Sequence, residues 1–470
     1  MDFSYIIHFG IISAALLLGA FLRSRIRFLQ KYLIPSSIIG GFMLLFFYNY
    51  AAPHLNLNSD FLGDLVYHLL NISFIAMMLR TPEEKKVRKS RVIGETVVST
   101  VAQYGLQCTF GLIVAIILIF TVMPDLSPAI GLSLPLGFEL GPGQAYSMSL
   151  PWEAMGFEGA TSVGLAMAAI GFVVGSIGGV ILINIGIRKG WVDESLRDKI
   201  NRGETRSGFL KKEHQREGSR ITTDGESLDT LSYHIALIMV TYLISWALLS
   251  FISYLLSFIG AMGVQLADSL WGVNFIFSVF CASFVRAIMT KAGISYTIDN
   301  HTLNRVNGLS VDLTVTSCLG AISLTAISSY WLPITLLSVI GILITMFLTP
   351  YYCARLYDDH KFERTLVLIG TATGTLPTGL SLLRVVDPDF ETPAATDYVY
   401  ASSIVFFLVI PLILLINLPQ LSVSGGSGYL LYIMLSVTAL YTILCTVAYF
   451  LYAGKRARIK KRVFFLTDNE

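Results

Sequence analysis

All 33 Lys and Arg residues of this chain fall in six patches, separated by long stretches that carry none. The patches span residues 23–31, 80–91, 188–220, 286–305, 355–384 and 455–462, with four, six, ten, three, four and six cations. In proteins that cross a bilayer repeatedly, short loops rich in Lys and Arg stay on the cytoplasmic side. The pattern therefore predicts a polytopic membrane protein and assigns a side to each loop. The first apolar run starts at Phe3 and precedes the first patch, which places the N-terminus outside. No basic stretch precedes that run, as a cleaved signal would require, so it is expected to remain as a helix.

Composition supports this class: hydrophobic residues are 54% and charged residues 14%, against about a quarter charged in soluble domains. Each crossing needs about 20 apolar residues. Apolar segments predict helices near 3–22, 33–52, 61–80, 92–122, 159–187, 232–259, 270–290, 309–329, 331–353 and 398–418, with an eleventh at 428–453. An odd number of crossings from outside ends inside, where the basic tail at 455–462 belongs. The net charge of +2 gives no reason to expect a nucleic-acid partner. Five cysteines and seven histidines show neither disulfide nor metal-ligand spacing, and no cofactor is expected.

Ten of the helices form two groups of five, and each group has one Gly/Pro-rich segment before its fifth helix, at 136–150 and 368–383. Because five is odd, the second group runs inverted. Inverted repeats interrupted by Gly and Pro at matching positions mark secondary transporters. The expected fold is thus an all-α polytopic membrane protein of about 11 transmembrane helices, with two inverted five-helix repeats, each carrying a re-entrant hairpin. The expected domains are residues 1–187, a charged cytoplasmic linker at 188–230, an inverted repeat at 231–420, and an extra helix with a basic tail at 421–470.

The first interrupted segment reads Gly137-Phe138-Glu139-Leu140-Gly141-Pro142-Gly143-Gln144, the second Thr371-Ala372-Thr373-Gly374-Thr375-Leu376-Pro377-Thr378-Gly379. A Pro with Gly neighbours rules out one continuous helix. Broken backbone at membrane depth survives only inside protein or along a water-filled cavity, as in a re-entrant hairpin. Short helices beginning near Gln144 and Thr378 would offer free N–H groups to a bound anion. Gly141, Gly143, Gln144, Thr373, Gly374, Thr375 and Thr378 are therefore the substrate-binding candidates, joined by two charged residues. Glu139 can hold a cation, accept a proton or bind an ammonium group, or else face outside water. Arg384 suits bidentate binding of a carboxylate, or is one more cytoplasmic cation.

Asn71 and Ser73 in the third helix, and Thr316 and Ser317 in the eighth, place hard oxygen ligands for Na⁺ at equivalent repeat positions. Interhelical hydrogen bonding is the simpler explanation for any single one of them. Glu95, Ser99, Gln103 and Gln107 repeat every fourth residue, so that stripe faces protein or water rather than lipid. Gly171, Gly175 and Gly179 form a close-packing row.

The stretches Phe28-Leu29-Gln30-Lys31-Tyr32-Leu33-Ile34-Pro35 with Gly40-Gly41, Gly141-Pro142-Gly143-Gln144-Ala145-Tyr146, Gly156-Phe157 and Gly374-Thr375-Leu376-Pro377-Thr378 resemble the bacterial sodium/glutamate symporter family. The resemblance implies a homodimer in the cell inner membrane, substrate held between two hairpin tips, and elevator-type movement of the hairpin-bearing core. It also implies glutamate as the small organic anion and Na⁺ as the coupling ion. The chain departs from the family where a Gly-Gly-His-Gly run becomes Phe138-Glu139-Leu140-Gly141, where a Gly-x-Gly-x-Gly becomes Gly370-Thr371-Ala372-Thr373-Gly374, and in its eleventh helix. The expected function is Na⁺-coupled symport. A symporter or exchanger for another amino acid or carboxylate is the alternative, and an ion channel the next. No phosphate-binding loop of an ATP-driven pump is present, and no paired ionisable groups point to an enzyme.

Overall fold

A computed structural model describes residues 3–55, 57–81, 90–192, 220–224, 226–387 and 392–454. Most of the expected 188–230 linker, the centre of the 80–91 patch and the basic tail lie outside the described residues. Among the described residues the regular structure is all helix, with no strand. We label its principal helices α1 (Ser4–Arg25), α2 (Ser36–Phe46), α3 (Asp60–Leu79), α4 (Ser90–Thr121), α5 (Pro142–Ala154) and α6 (Ala160–Lys189). The second part contains α7 (Thr230–Ser257), α8 (Ala261–Gly272), α9 (Asn274–Lys291), α10 (Asn300–Gly320), α11 (Trp331–Leu343), α12 (Lys361–Thr371), α13 (Leu376–Val386), α14 (Ala394–Leu414) and α15 (Tyr429–Ala453). Among the described residues, ten helices are long and apolar enough to cross a membrane, which makes this an all-α, multi-pass membrane protein.

The span expected at 309–329 is a helix too, but not where hydropathy puts it. Instead of 309–329 it runs from Asn300 to Gly320 as α10, because its first half is polar and its start is fixed by a cap. Asp299 accepts from the Thr302 N–H at 2.9 Å, satisfying a donor that a helix start leaves open. Burial pushes the Asp299 carboxyl up, but hydrogen bonds from Thr302 and from the Arg220 N–H outweigh it and hold it below the usual range. The polar face of α10 is matched by α3 and the residues after it. Ser73 and Arg80 donate to Asn307 and Asn304 at 2.5 and 2.6 Å, while Asn300 exchanges hydrogen bonds with the backbone of Thr81. Ser323, expected inside the span, instead caps the next short helix by accepting from the Ala326 N–H. The connection expected at 260–269 also differs, since most of it forms α8.

Burial separates a centre from a periphery. Two thirds of the most apolar window of α6 is buried, against about a fifth in α1, α7 and α15. The outer faces of those three helices carry Leu17, Trp246, Phe251 and Leu451, side chains at home in lipid. α6 is the post around which both interrupted segments pack.

Candidate functional site

Both interrupted segments form hairpins. The first enters through the short turns Pro128–Leu132 and Ser133–Pro135, widens into a turn of π-helix at Leu136–Leu140, and reverses at Gly141. Gly141 has φ 84° and ψ 177°, a region essentially reserved for glycine. Pro142 then opens α5 at the position where a missing N–H costs nothing. In the second hairpin, α12 and α13 lie against each other. A Cβ on Gly370 would stand 2.5 Å from the Gly379 Cα, and one on Gly379 would stand 2.6 Å from the Val367 carbonyl oxygen. Only bare backbone fits there.

The two turning points meet. A Cβ on Gly141 would lie 3.1 Å from the Gly374 carbonyl oxygen and 3.2 Å from the Thr375 Cγ2. The N-termini of α5 and α13 are therefore neighbours, and their first N–H groups have no carbonyl of their own helix behind them. On the α5 side these are Gly143 and Gln144; on the α13 side Leu376, with Thr375 as the cap residue. Gln144, Thr373 and Thr378 are buried around this point. Two helix N-termini aimed at one place make a cradle for a carboxylate.

α6 seats the second tip. A Cβ on Gly171 would be 2.8 Å from the Thr373 carbonyl oxygen, Gly175 faces the Thr373 hydroxyl, and Gly179 faces Leu382 at 2.5 Å. The expected packing role of this row is what the geometry gives. Gly143 plays the same part in the first hairpin, where a Cβ would meet Leu70 of α3 at 2.8 Å. Beside the tip, a cavity of about 320 Å³ is walled by Ile38, Phe42, Phe172 and Ser176. Its lining is almost wholly apolar, so it does not suit a carboxylate.

Two sequence candidates lie away from the tips. Arg384 stands in the last turn of α13, nine residues past Thr375, and is exposed. At 1.5 Å per residue that is about 14 Å from the cradle. We expect Arg384→Gln to change glutamate affinity less than about twofold in a binding assay; a loss of tenfold would return the guanidinium to the site. Glu139 is buried, and its carboxylate is held by α4, where Gln107 Nε2 donates to it at 2.9 Å. The outside-water reading of Glu139 is corrected, because α4 covers that arm of the hairpin. The stripe of Glu95, Ser99, Gln103 and Gln107 is buried as well.

The four Na⁺ candidates divide. Asn71 donates to the Tyr67 carbonyl and accepts from Ser278 at 2.8 Å, and Ser73 is taken by Asn307. Thr316 donates to the carbonyls of Asp312 and Ser37. Ser317 and its neighbour Thr314 are buried hydroxyls with no partner among the described residues. Of the four, Ser317 is the one with no hydrogen-bond partner among the described residues.

The sequence reading passed over Asp312, which sits mid-way along α10 beside the Ser37 hydroxyl. An ionisable residue inside a spanning helix is itself the signal that could have found it. It also passed over Arg364, which is buried between Asp397 at 2.6 Å and Asp359 at 2.9 Å at the base of the second hairpin.

Compared with known proteins, residues 1–390 match the model of the sodium/glutamate symporter family. The match takes in both hairpins and ends before α14. No curated protein and no solved structure matches the chain.

Proposed function

Because the chain belongs to the sodium/glutamate symporter family, we propose that glutamate binds between the two hairpin tips and crosses with them in an elevator movement against the remaining helices. Membership makes the protein a Na⁺-coupled glutamate symporter in a membrane, and not an enzyme. The observation that carries the site is the contact of Gly141 with Gly374 and Thr375. It brings two helix N-termini together without any cationic side chain being needed to attract a carboxylate.

In this reading Gly143, Gln144, Leu376 and Thr375 offer N–H groups to substrate carboxylates, and Thr373 and Thr378 shape the cradle. Ser317, with Thr314, supplies oxygens for Na⁺, and the site requires no bound cofactor. The element order supports two inverted repeats: α1, α2, α3, α4, the first hairpin and α6 correspond to α7, α9, α10, α11, the second hairpin and α14. The cation patches support an N-terminus outside and a C-terminus in the cytoplasm. A homodimer in the cell inner membrane rests on the family resemblance.

The test is uptake of labelled glutamate by the reconstituted protein. An inward Na⁺ gradient is expected to drive accumulation, and replacing Na⁺ by K⁺ to abolish it. Uptake indifferent to Na⁺, or glutamate flux that fails to saturate, would sink the reading and return the channel alternative. Ser317→Ala is expected to raise the Na⁺ concentration for half-maximal uptake about tenfold, the cost of one lost ligand of about 1.4 kcal/mol.

A further inference from the structure

We infer that Glu139 binds a proton as part of the transport cycle, at a place distinct from the cradle between the tips. The inference rests on the reading of the chain as a glutamate transporter and adds a second coupling ion to it.

Glu139 lies two residues before the first turning point, and its side chain leaves the tip for α4. The groups facing it come from three elements: Tyr104, Gln107 and Cys108 of α4, Tyr352 from the helical continuation of α11, and Tyr398 of α14. All are neutral, and none is Lys or Arg. A charged carboxylate buried at membrane depth with no opposing charge is expensive. It needs a cation, and the open hydrogen-bonding positions around it suit a proton.

Gln107 spends an N–H on Glu139 Oε1, leaving its own Oε1 without a partner among the described residues. One turn along α4, Gln103 is 0% exposed, and neither its Oε1 nor its Nε2 has a partner there. These two amides are neighbours on one face of the helix. An ionised carboxylate only accepts; a protonated one donates as well. A proton on Glu139 supplies a donor for one of the open amide oxygens, while its other oxygen keeps the Gln107 bond. No group of three or more His, Cys, Asp or Glu placed to hold a metal ion occurs among the described residues.

The same face of α4 continues through Ser99 to Glu95. Tyr352 donates to the Ser99 carbonyl at 3.1 Å, and Glu95 pairs with the half-exposed Arg91 at 3.0 Å. A file of buried polar groups thus joins Glu139 to the membrane face at Arg91. The proton taken up by the carboxylate comes from water at one face and is released to water at the other, with no bond changed except that O–H.

The experiment uses the full-length protein in vesicles containing a pH-sensitive dye, with Na⁺ equal on both sides. Glutamate uptake is expected to acidify the lumen. An inward proton gradient of one pH unit is expected to raise accumulation about tenfold for each proton coupled. E139Q keeps an amide in place of the carboxyl and is expected to lose both effects, with Na⁺-dependent thermal stabilisation by glutamate reporting that it is folded. E139D, expected to retain some acidification, covers the case in which E139Q does not fold.

Na⁺-dependent glutamate uptake without acidification in the wild type would overturn the inference and leave the proposed function standing. Acidification that persists in E139Q would overturn the assignment to Glu139. Lower Na⁺ stoichiometry in E139Q, with no wild-type proton movement, would make the residue a Na⁺ ligand and overturn it equally. Absence of any Na⁺-dependent uptake would remove the reading beneath it.

Discussion

Gly141→Ala is expected to weaken glutamate binding by roughly 5- to 150-fold without preventing membrane insertion. Two costs combine. The backbone at Gly141, φ 84° and ψ 177°, costs about 1–3 kcal/mol for a residue with a Cβ. The added methyl would also press on the Gly374 carbonyl oxygen at 3.1 Å and the Thr375 methyl at 3.2 Å, the contact that holds the two helix N-termini together. Gly156→Ala separates these effects. Gly156 also has a positive φ, 93°, but nothing lies within 4 Å of where its Cβ would go. It should lose stability and keep its affinity. Gly171→Ala tests the other side, because its Cβ would meet the Thr373 carbonyl oxygen at 2.8 Å within an ordinary helix. Isothermal titration with glutamate in saturating Na⁺ reads all three. Equal affinities in Gly141→Ala and Gly156→Ala would show that the meeting of the tips does not make the site.

Asp397→Ala is expected to destabilise the protein by about 1.5–3 kcal/mol, the worth of a hydrogen bond between charged groups, because Arg364 keeps Asp359 as a partner. Arg364 is 4% exposed, and its guanidinium bonds Asp397 on one side and Asp359 on the other. Asp397 is buried in the first turn of α14, whereas Asp359 is 49% exposed, so only Asp359 can turn to water. The pair ties the base of the second hairpin to α14. The double variant Arg364→Met with Asp397→Leu should recover most of the loss, because apolar residues of similar volume replace such pairs at little cost. Reversible unfolding in detergent measures the cycle. A single-variant loss below about 1 kcal/mol would mean that the pair is solvated in the membrane protein.

How much of this was legible beforehand depended on the range of the physics involved. The breaks at Gly141 and Gly374 were readable because Pro and Gly act on their own backbone. The packing role of Gly171, Gly175 and Gly179 was readable because their spacing sets one face of one helix. The start of α10 was not, since hydropathy overlooks a polar half whose Asn side chains are matched by α3. The direction of Glu139 was hidden for the same kind of reason. Gln107 lies 32 residues away, and nothing local favours it over outside water. The partners of Asn71 and Ser73 on α9 and α10 were likewise beyond local reading.

The sequence alone determined that the chain crosses a membrane many times, where its cations lie, and where two helices must break. Those are consequences of transfer energies and backbone sterics, which each residue carries with it. Only the tertiary structure decided that the two breaks touch, that Arg384 stands about 14 Å from them, and that Glu139 is enclosed by neutral groups of three different elements. Contact between segments more than 200 residues apart is fixed by packing around α6, and packing is a property of the whole fold rather than of any stretch of it.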